Sequence, residues 1–386
     1  MGIKRIYLDH AATTPIAKEV LEAIKPFFNK KFGNASSLHS FGREAREAIE
    51  HARDIIKKKA NAKDHELIFT SGGTEANNFA IKGIAFANRK KGKHIITTKI
   101  EHDCVLNACK WLEKQGFEVT YLNVDKEGSI NLNELEDKIR KDTILVSVIH
   151  GNNEIGTIQD LESIGRICRE HEVYFHTDAC QSFTKTKIPM EYVDLITINA
   201  HKIYGPKGIG GLFIRKDVKI DPLLHGGGHE FGLRSGTENV ASIVGFGKAV
   251  EIARKEHVDK MQALNKMLIK GALEIEETRL NGPLPGEKRL CNNANISFKW
   301  IEGEAIVLRL DSFGIAASTG SACSSRSLEP SHVLLAIGLT PEDAHGSVRF
   351  SVGKENTKEE IKYTIECLKK IVEDLRKASP FYKTSR

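Results

Sequence analysis

Between about residues 15 and 255, short β-branched apolar runs alternate with amphipathic stretches whose apolar positions recur at helical spacing. The runs at 67–70, 94–98, 118–122, 143–150, 173–178, 194–199 and 211–214 predict strands. Patterns such as 76–90 and 161–171, lying between them, predict helices. That order predicts an α/β domain built on a mostly parallel sheet covered by helices. In such sheets ligands gather at the C-terminal strand ends, so the residues following each strand matter most.

Beyond this region the pattern changes. A polar, helix-like stretch at 249–279 leads into strand-like runs at 293–298 and 347–352. A Ser/Gly-rich loop at 317–330 separates those two runs, and a helix beginning at Lys358 follows. Together they predict a second, smaller α+β domain, with a boundary near residue 260.

Composition narrows the class. With 386 residues the chain is too long for one small binding module, and it can bury roughly three-quarters of its unfolded surface. Its 40% hydrophobic and 28% charged residues are those of an ordinary globular protein. No apolar run approaches the roughly 18 residues of a membrane span. Asp9 arrives before an apolar core could form, so no signal peptide is expected. The net charge of +6 is spread over helix faces such as Lys57, Lys58 and Lys59, with one short run at 89–93. Those cations read as solvated faces and not as a nucleic-acid track. Seven cysteines, an odd number without a CxxC pair, fit neither a disulfide framework nor a zinc knuckle. They point to a reducing cytoplasm.

Three segments after predicted strands carry candidate chemistry. Ser71-Gly72-Gly73-Thr74 opens a helix, and free N–H groups at such a turn suit a phosphate; taken alone, the glycines equally serve steric needs. Asp178 ends a β-run and reads singly either as a cap or salt-bridge partner, or as a charge held against a protonated heterocyclic nitrogen. Lys202 follows the next strand beside His201 and a Gly/Pro turn, and is either a surface lysine or an amine drawn out of water as a nucleophile. The combination favours chemistry: phosphate, ring nitrogen and aldehyde carbon of pyridoxal 5′-phosphate would each have a partner on one sheet edge. Cys323 lies in a polar loop among five serines, where a structural cysteine is out of place, and is a candidate exposed nucleophile. Cys180, beside Asp178, is expected to be the only other thiol near the site and to be buried.

At this point the sequence closely resembles the cysteine desulfurases of the IscS/NifS type, class V aminotransferase-like enzymes of pyridoxal-phosphate fold type I. The resemblance spans nearly the whole chain through YLDHAATTP, TSGGTEANN, EHDCVL, NNEIGTIQD, HTDACQS, AHKIYGPKG, HGGGHEFGLRSGTEN, SACSSRSLEPSHVL and VRFSVGK. It implies a large domain at 15–260 and a small one formed by 1–14 with 261–386. It implies that Lys202 binds the cofactor covalently, Asp178 pairs its ring nitrogen and His102 stacks on the ring. Gly73, Thr74 and His201 would hold the phosphate, while Asn153 and Gln181 bond near the 3′ oxygen. Thr237 would reach the cofactor phosphate of a second subunit, making a homodimer. Arg349, with Asn153 beside it, would clamp the substrate carboxylate, and Cys323 would receive the sulfur of L-cysteine as a persulfide for an acceptor such as an Fe–S scaffold. Asn199 departs from the family's usual Ser; its amide still donates to a phosphate oxygen, so altered geometry without loss of cofactor is expected. The short stretch after Tyr382 differs from the longer tail with which housekeeping relatives dock a scaffold. A selenocysteine lyase or an aminotransferase is the rival within enzymes, and a catalytically idle scaffold the rival outside them. Cys323 argues against an aminotransferase, which has no need of a loop thiol, and intact Lys202, Cys323 and Arg349 argue against an idle scaffold.

Overall fold

The computed structural model describes residues 5–320, 329–380 and 382. Among them are twelve strands: β1 (Ile6–Tyr7), β2 (His65–Thr70), β3 (His94–Thr98), β4 (Glu118–Leu122), β5 (Thr143–Ser147), β6 (Tyr174–Asp178), β7 (Leu195–Asn199), β8 (Gly210–Arg215), β9 (Thr278–Asn281), β10 (Asn293–Phe298), β11 (Ile315–Ala316) and β12 (Ser347–Ser351). Seven of them form one sheet in the order β2-β8-β7-β6-β5-β3-β4. The neighbours from β7 to β4 pair in parallel, and only β8 runs against its two neighbours. The C-terminal ends of β2, β3, β5, β6 and β7 therefore share one edge.

Every residue of β3, β5 and β7 is buried, as expected for strands covered on both faces. One face packs Ile49, Ile56, Phe175 and Phe246 into a common cluster; the other packs Phe79, Ile84, Val105 and Leu112. A third cluster brings Ile6 and Leu8 together with Ile296, Phe350 and Leu368. Around it lie the antiparallel sheet β12-β10-β9 and the parallel pair β1-β11. Ile100, Ile149 and Ile155, from loops at the active edge, pack against Val333, Leu334 and Ile337. That small cluster holds the two parts of the chain together beside the site.

The structure redraws one segment. The helical reading of 249–279 resolves into helices Val240–Glu251 and Lys255–Ala272, followed by β9, whose Arg279 pairs with Ser297. No apolar alternation marks β9, so only its pairing with β10 reveals it. Among the described residues no helix is long and apolar enough to cross a membrane.

Candidate active site

Each strand of the shared edge delivers a polar group to it. After β2 the chain turns through Gly72 into the helix Gly73–Asn88. Gly72 sits at φ 156° and ψ −178°, a conformation only glycine adopts readily. A side chain on Gly73 would meet Cys180 Sγ at 2.6 Å, so glycine lets the turn pack closely against the segment that follows β6. No side chain among the described residues caps this helix, which leaves its first N–H groups open to a ligand.

Asp178 ends β6 fully enclosed. Its Oδ1 accepts from the Cys180 amide at 2.8 Å and its Oδ2 from Asn77 Nδ2 at 2.7 Å. Burial opposes the charge, but the Cys180 amide, nearby His102 and Asn77 outweigh it and hold the carboxyl below its ordinary range. It is a ready anion. His102 is the N-cap of the helix Asp103–Glu113 and accepts from the Cys104 amide through Nδ1 at 3.2 Å. Burial, reinforced by Lys202, pushes its pKa down, so the ring is neutral near pH 7.

Cys104 corrects the expectation that Cys180 is the sole thiol beside the site besides Cys323. Its Sγ lies 3.1 Å from both His102 Nδ1 and Asn77 Nδ2. Burial, then the charge of Asp178, raises the Cys104 thiol to about 12, and the same two causes raise Cys180 well above its ordinary value. Neither is a thiolate at neutral pH, so neither suits nucleophilic attack. Cys323 lies outside the described residues.

Lys202 stands on the turn after β7, where its amide donates to Asn199 Oδ1 at 3.4 Å. Asn199 Nδ2 lies 3.6 Å from the position a Gly73 Cβ would take, so this amide sits between the lysine turn and the glycine turn. His201 contacts Thr13 Oγ1 at 3.2 Å, and burial followed by Lys202 lowers its pKa to about 4.

A cavity of about 450 Å³ opens at this edge, lined among others by His102, Asn153, Gln181, Lys202 and Arg349. Arg349 reaches it from β12, in the other sheet. Its Nη1 donates to the Asn153 carbonyl at 3.2 Å and its Nη2 to Asp9 Oδ1 at 3.0 Å, while Nε has no acceptor among the described residues. Gln181 Nε2 donates to the Ala11 carbonyl at 2.8 Å, tying the N-terminal segment to the cavity floor. Glu101, also on the wall, accepts from Thr98 Oγ1 and the Ile149 amide, and its Oε2 has no partner among the described residues. Burial raises its carboxyl to about 8, which keeps it protonated near neutral pH. Thr237 is exposed and does not line the cavity.

The family model for class-V aminotransferases matches residues 6–364. A cysteine desulfurase IscS of Dictyoglomus turgidum is 54% identical over 98% of this chain and 97% of its own. The chain belongs to the cysteine desulfurase family of class-V aminotransferases. A second cysteine desulfurase IscS of the family, from Methanosarcina thermophila, is 52% identical over 98% of this chain and 94% of its own. Among solved structures, a NifS-like protein matches with TM-score 0.89 at 38% identity, covering 96% of this chain and 100% of its own. SspA in complex with cysteine matches with TM-score 0.81, also at 38% identity, over 92% and 100% of the two chains.

The family's enzymes use pyridoxal 5′-phosphate, and the residues present fit that group. An ionised, fully buried carboxylate, an uncapped helix start and a lysine on the cavity wall match ring nitrogen, phosphate and aldehyde in turn. Sequence reasoning missed Asn77, Cys104, Asp9 and Glu101. Asn77 left one signal, a polar residue among Ala76, Phe79 and Ala80 on the buried face of its helix.

Proposed function

We propose that the protein converts L-cysteine and the Cys323 thiol into L-alanine and a persulfide on Cys323. The observation that carries this is that Lys202 and Arg349 line one cavity, a lysine that would hold the cofactor's aldehyde for exchange with a substrate amine and a guanidinium that would bind a carboxylate. Those are the two handles of an α-amino acid. When bound, pyridoxal phosphate supplies an electron sink for the pair left at the substrate Cα. Gly73, Thr74, Asn199 and His201 would hold its phosphate, with Asn153 and Gln181 near its 3′ oxygen.

The chain's own groups then divide the work. Arg349 binds the substrate carboxylate through paired N–H donors and so orients Cα. Lys202 takes the Cα proton, and Asp178 keeps a negative charge against the ring nitrogen. With Nδ1 occupied by the Cys104 amide, the neutral His102 ring carries its proton on Nε2, where it serves the substrate sulfur. Cys323 sulfur bonds to the substrate sulfur as the substrate Cβ–S bond breaks, and the proton given up by Cys323 ends on the product carbon. The persulfide passes to an acceptor such as an Fe–S scaffold in the cytoplasm.

The exposure of Thr237 supports a homodimer in which it serves the partner's cofactor. The packing of Ile6 and Leu8 with Phe350, and the pairing of β1 with β11, support a small domain of 1–14 with 261–386 beside a large one of 15–260. Holoenzyme given L-cysteine and a reducing thiol should release L-alanine and sulfide in equal amounts. Production of a keto acid instead would favour transamination and overturn the desulfurase assignment.

A further inference from the structure

Among the described residues lining the cavity, Arg349 arrives from the other sheet, and its guanidinium is held from two sides. Asp9 Oδ1 takes Nη2 at 3.0 Å and the Asn153 carbonyl takes Nη1 at 3.2 Å. The Arg349 side chain is 3% exposed and that of Asp9 18%, so the pair is largely out of water. Asp9 is fixed in turn. It forms a parallel bridge with Ser351, two residues beyond Arg349 on the same strand. The His10 amide donates to the Ser351 carbonyl at 3.2 Å, the Ser351 amide to the Leu8 carbonyl at 2.7 Å, and the Ala11 amide to Ser351 Oγ at 2.8 Å. The N-terminal segment is thus stitched to β12 on both sides of Asp9.

We infer that Asp9 is a positioning residue for substrate recognition, holding the Arg349 guanidinium so that its unpaired donors meet an α-carboxylate. The inference rests on Arg349 being the carboxylate binder. A guanidinium has five N–H donors in a rigid plane, and a bidentate carboxylate needs two of them parallel and aimed at one point. The Asp9 and Asn153 oxygens fix that plane, while Nε–H has no acceptor among the described residues. A buried donor without an acceptor is costly, and an arriving carboxylate relieves it. Asp9 also offsets the cost of keeping a cation buried before substrate arrives. Burial raises the Asp9 carboxyl, while Arg349 and Lys202 lower it, so its environment is tied to both substrate-binding groups.

The test uses cofactor-loaded, full-length enzyme. Asp9→Ala should raise KM for L-cysteine roughly tenfold or more while kcat changes far less. Asp9→Asn retains an oxygen facing Nη2 and should recover most of the lost affinity. Cysteamine has the amine and thiol of cysteine but no carboxylate, so its binding, read from the cofactor's absorbance, should respond little to Asp9→Ala. Arg349→Ala is measured alongside. If it raises KM and Asp9→Ala does not, Asp9 has no positioning role and the Arg349 assignment survives. If neither variant raises KM, both fall. A lower KM in Asp9→Ala and Asp9→Asn would show that Asp9 competes with substrate, which also overturns the inference. Equal losses for cysteine and cysteamine would mark a general structural defect and overturn it too.

Discussion

Asn77 Nδ2 stands 2.7 Å from Asp178 Oδ2, joining the helix after the glycine turn to the end of the central strand β6. A buried carboxylate stays charged only if its oxygens are satisfied, and Asn77 and the Cys180 amide satisfy one oxygen each. Asn77→Ala should therefore weaken the partner of the ring nitrogen without touching it. A lost hydrogen bond to a charged group costs about 1.5–3 kcal/mol, so cofactor retention should fall by roughly tenfold or more. Cofactor release, followed by absorbance during dialysis, checks this; wild-type retention would show that Asn77 merely fills space.

Lys202 is the lysine on the cavity wall that follows β7, the strand next to the one ending in Asp178. Borohydride reduction of the holoenzyme should fix the cofactor to the peptide containing Lys202, and Lys202→Ala should yield none. Peptide mapping that finds the label on Lys185, Lys187 or Lys207 would refute the assignment.

Glu101 yields a pH dependence. Its folded-state carboxyl is raised to about 8 by burial, against about 4.3 in an unfolded chain. The folded state therefore holds a proton that the unfolded state releases between those values. Its contribution to stability is fully present below about pH 4, declines as pH rises, and is lost once pH passes about 8. Glu101→Gln mimics the neutral acid and does not titrate. Melting temperatures of the two proteins should diverge in favour of the variant from about pH 5 to pH 8, then run parallel. A constant difference across that range would mean that Glu101 is ionised throughout.

Much of this site was legible in the sequence because strand-end residues in a parallel sheet must share an edge. Asp178, Lys202 and the Gly73 turn follow β6, β7 and β2, so recognising the strands was enough to bring them together. Asp9 and Arg349 were a different matter. They are 340 positions apart and meet only because β12 lies beside the N-terminal segment. No periodicity encodes such a meeting. Cys104 was missed because its place in an amphipathic helix start reads as packing, while the two groups it touches, His102 and Asn77, belong to different elements. Strand β9 escaped because three of its four residues are polar and show no apolar alternation, so cross-strand pairing alone makes them a strand.

The proposed reaction moves sulfur from L-cysteine onto Cys323. The direct measurement is mass spectrometry of peptides from holoenzyme after one turnover with L-cysteine, alongside Cys323→Ser. Wild-type enzyme should gain one sulfur atom on the peptide containing Cys323. Cys323→Ser should keep the cofactor's colour and still change its spectrum with L-cysteine, yet gain no sulfur and release no alanine, because a serine hydroxyl is not ionised near neutral pH. Sulfur on Cys104 or Cys180, or alanine released at the wild-type rate by Cys323→Ser, would rule out Cys323 as the sulfur acceptor.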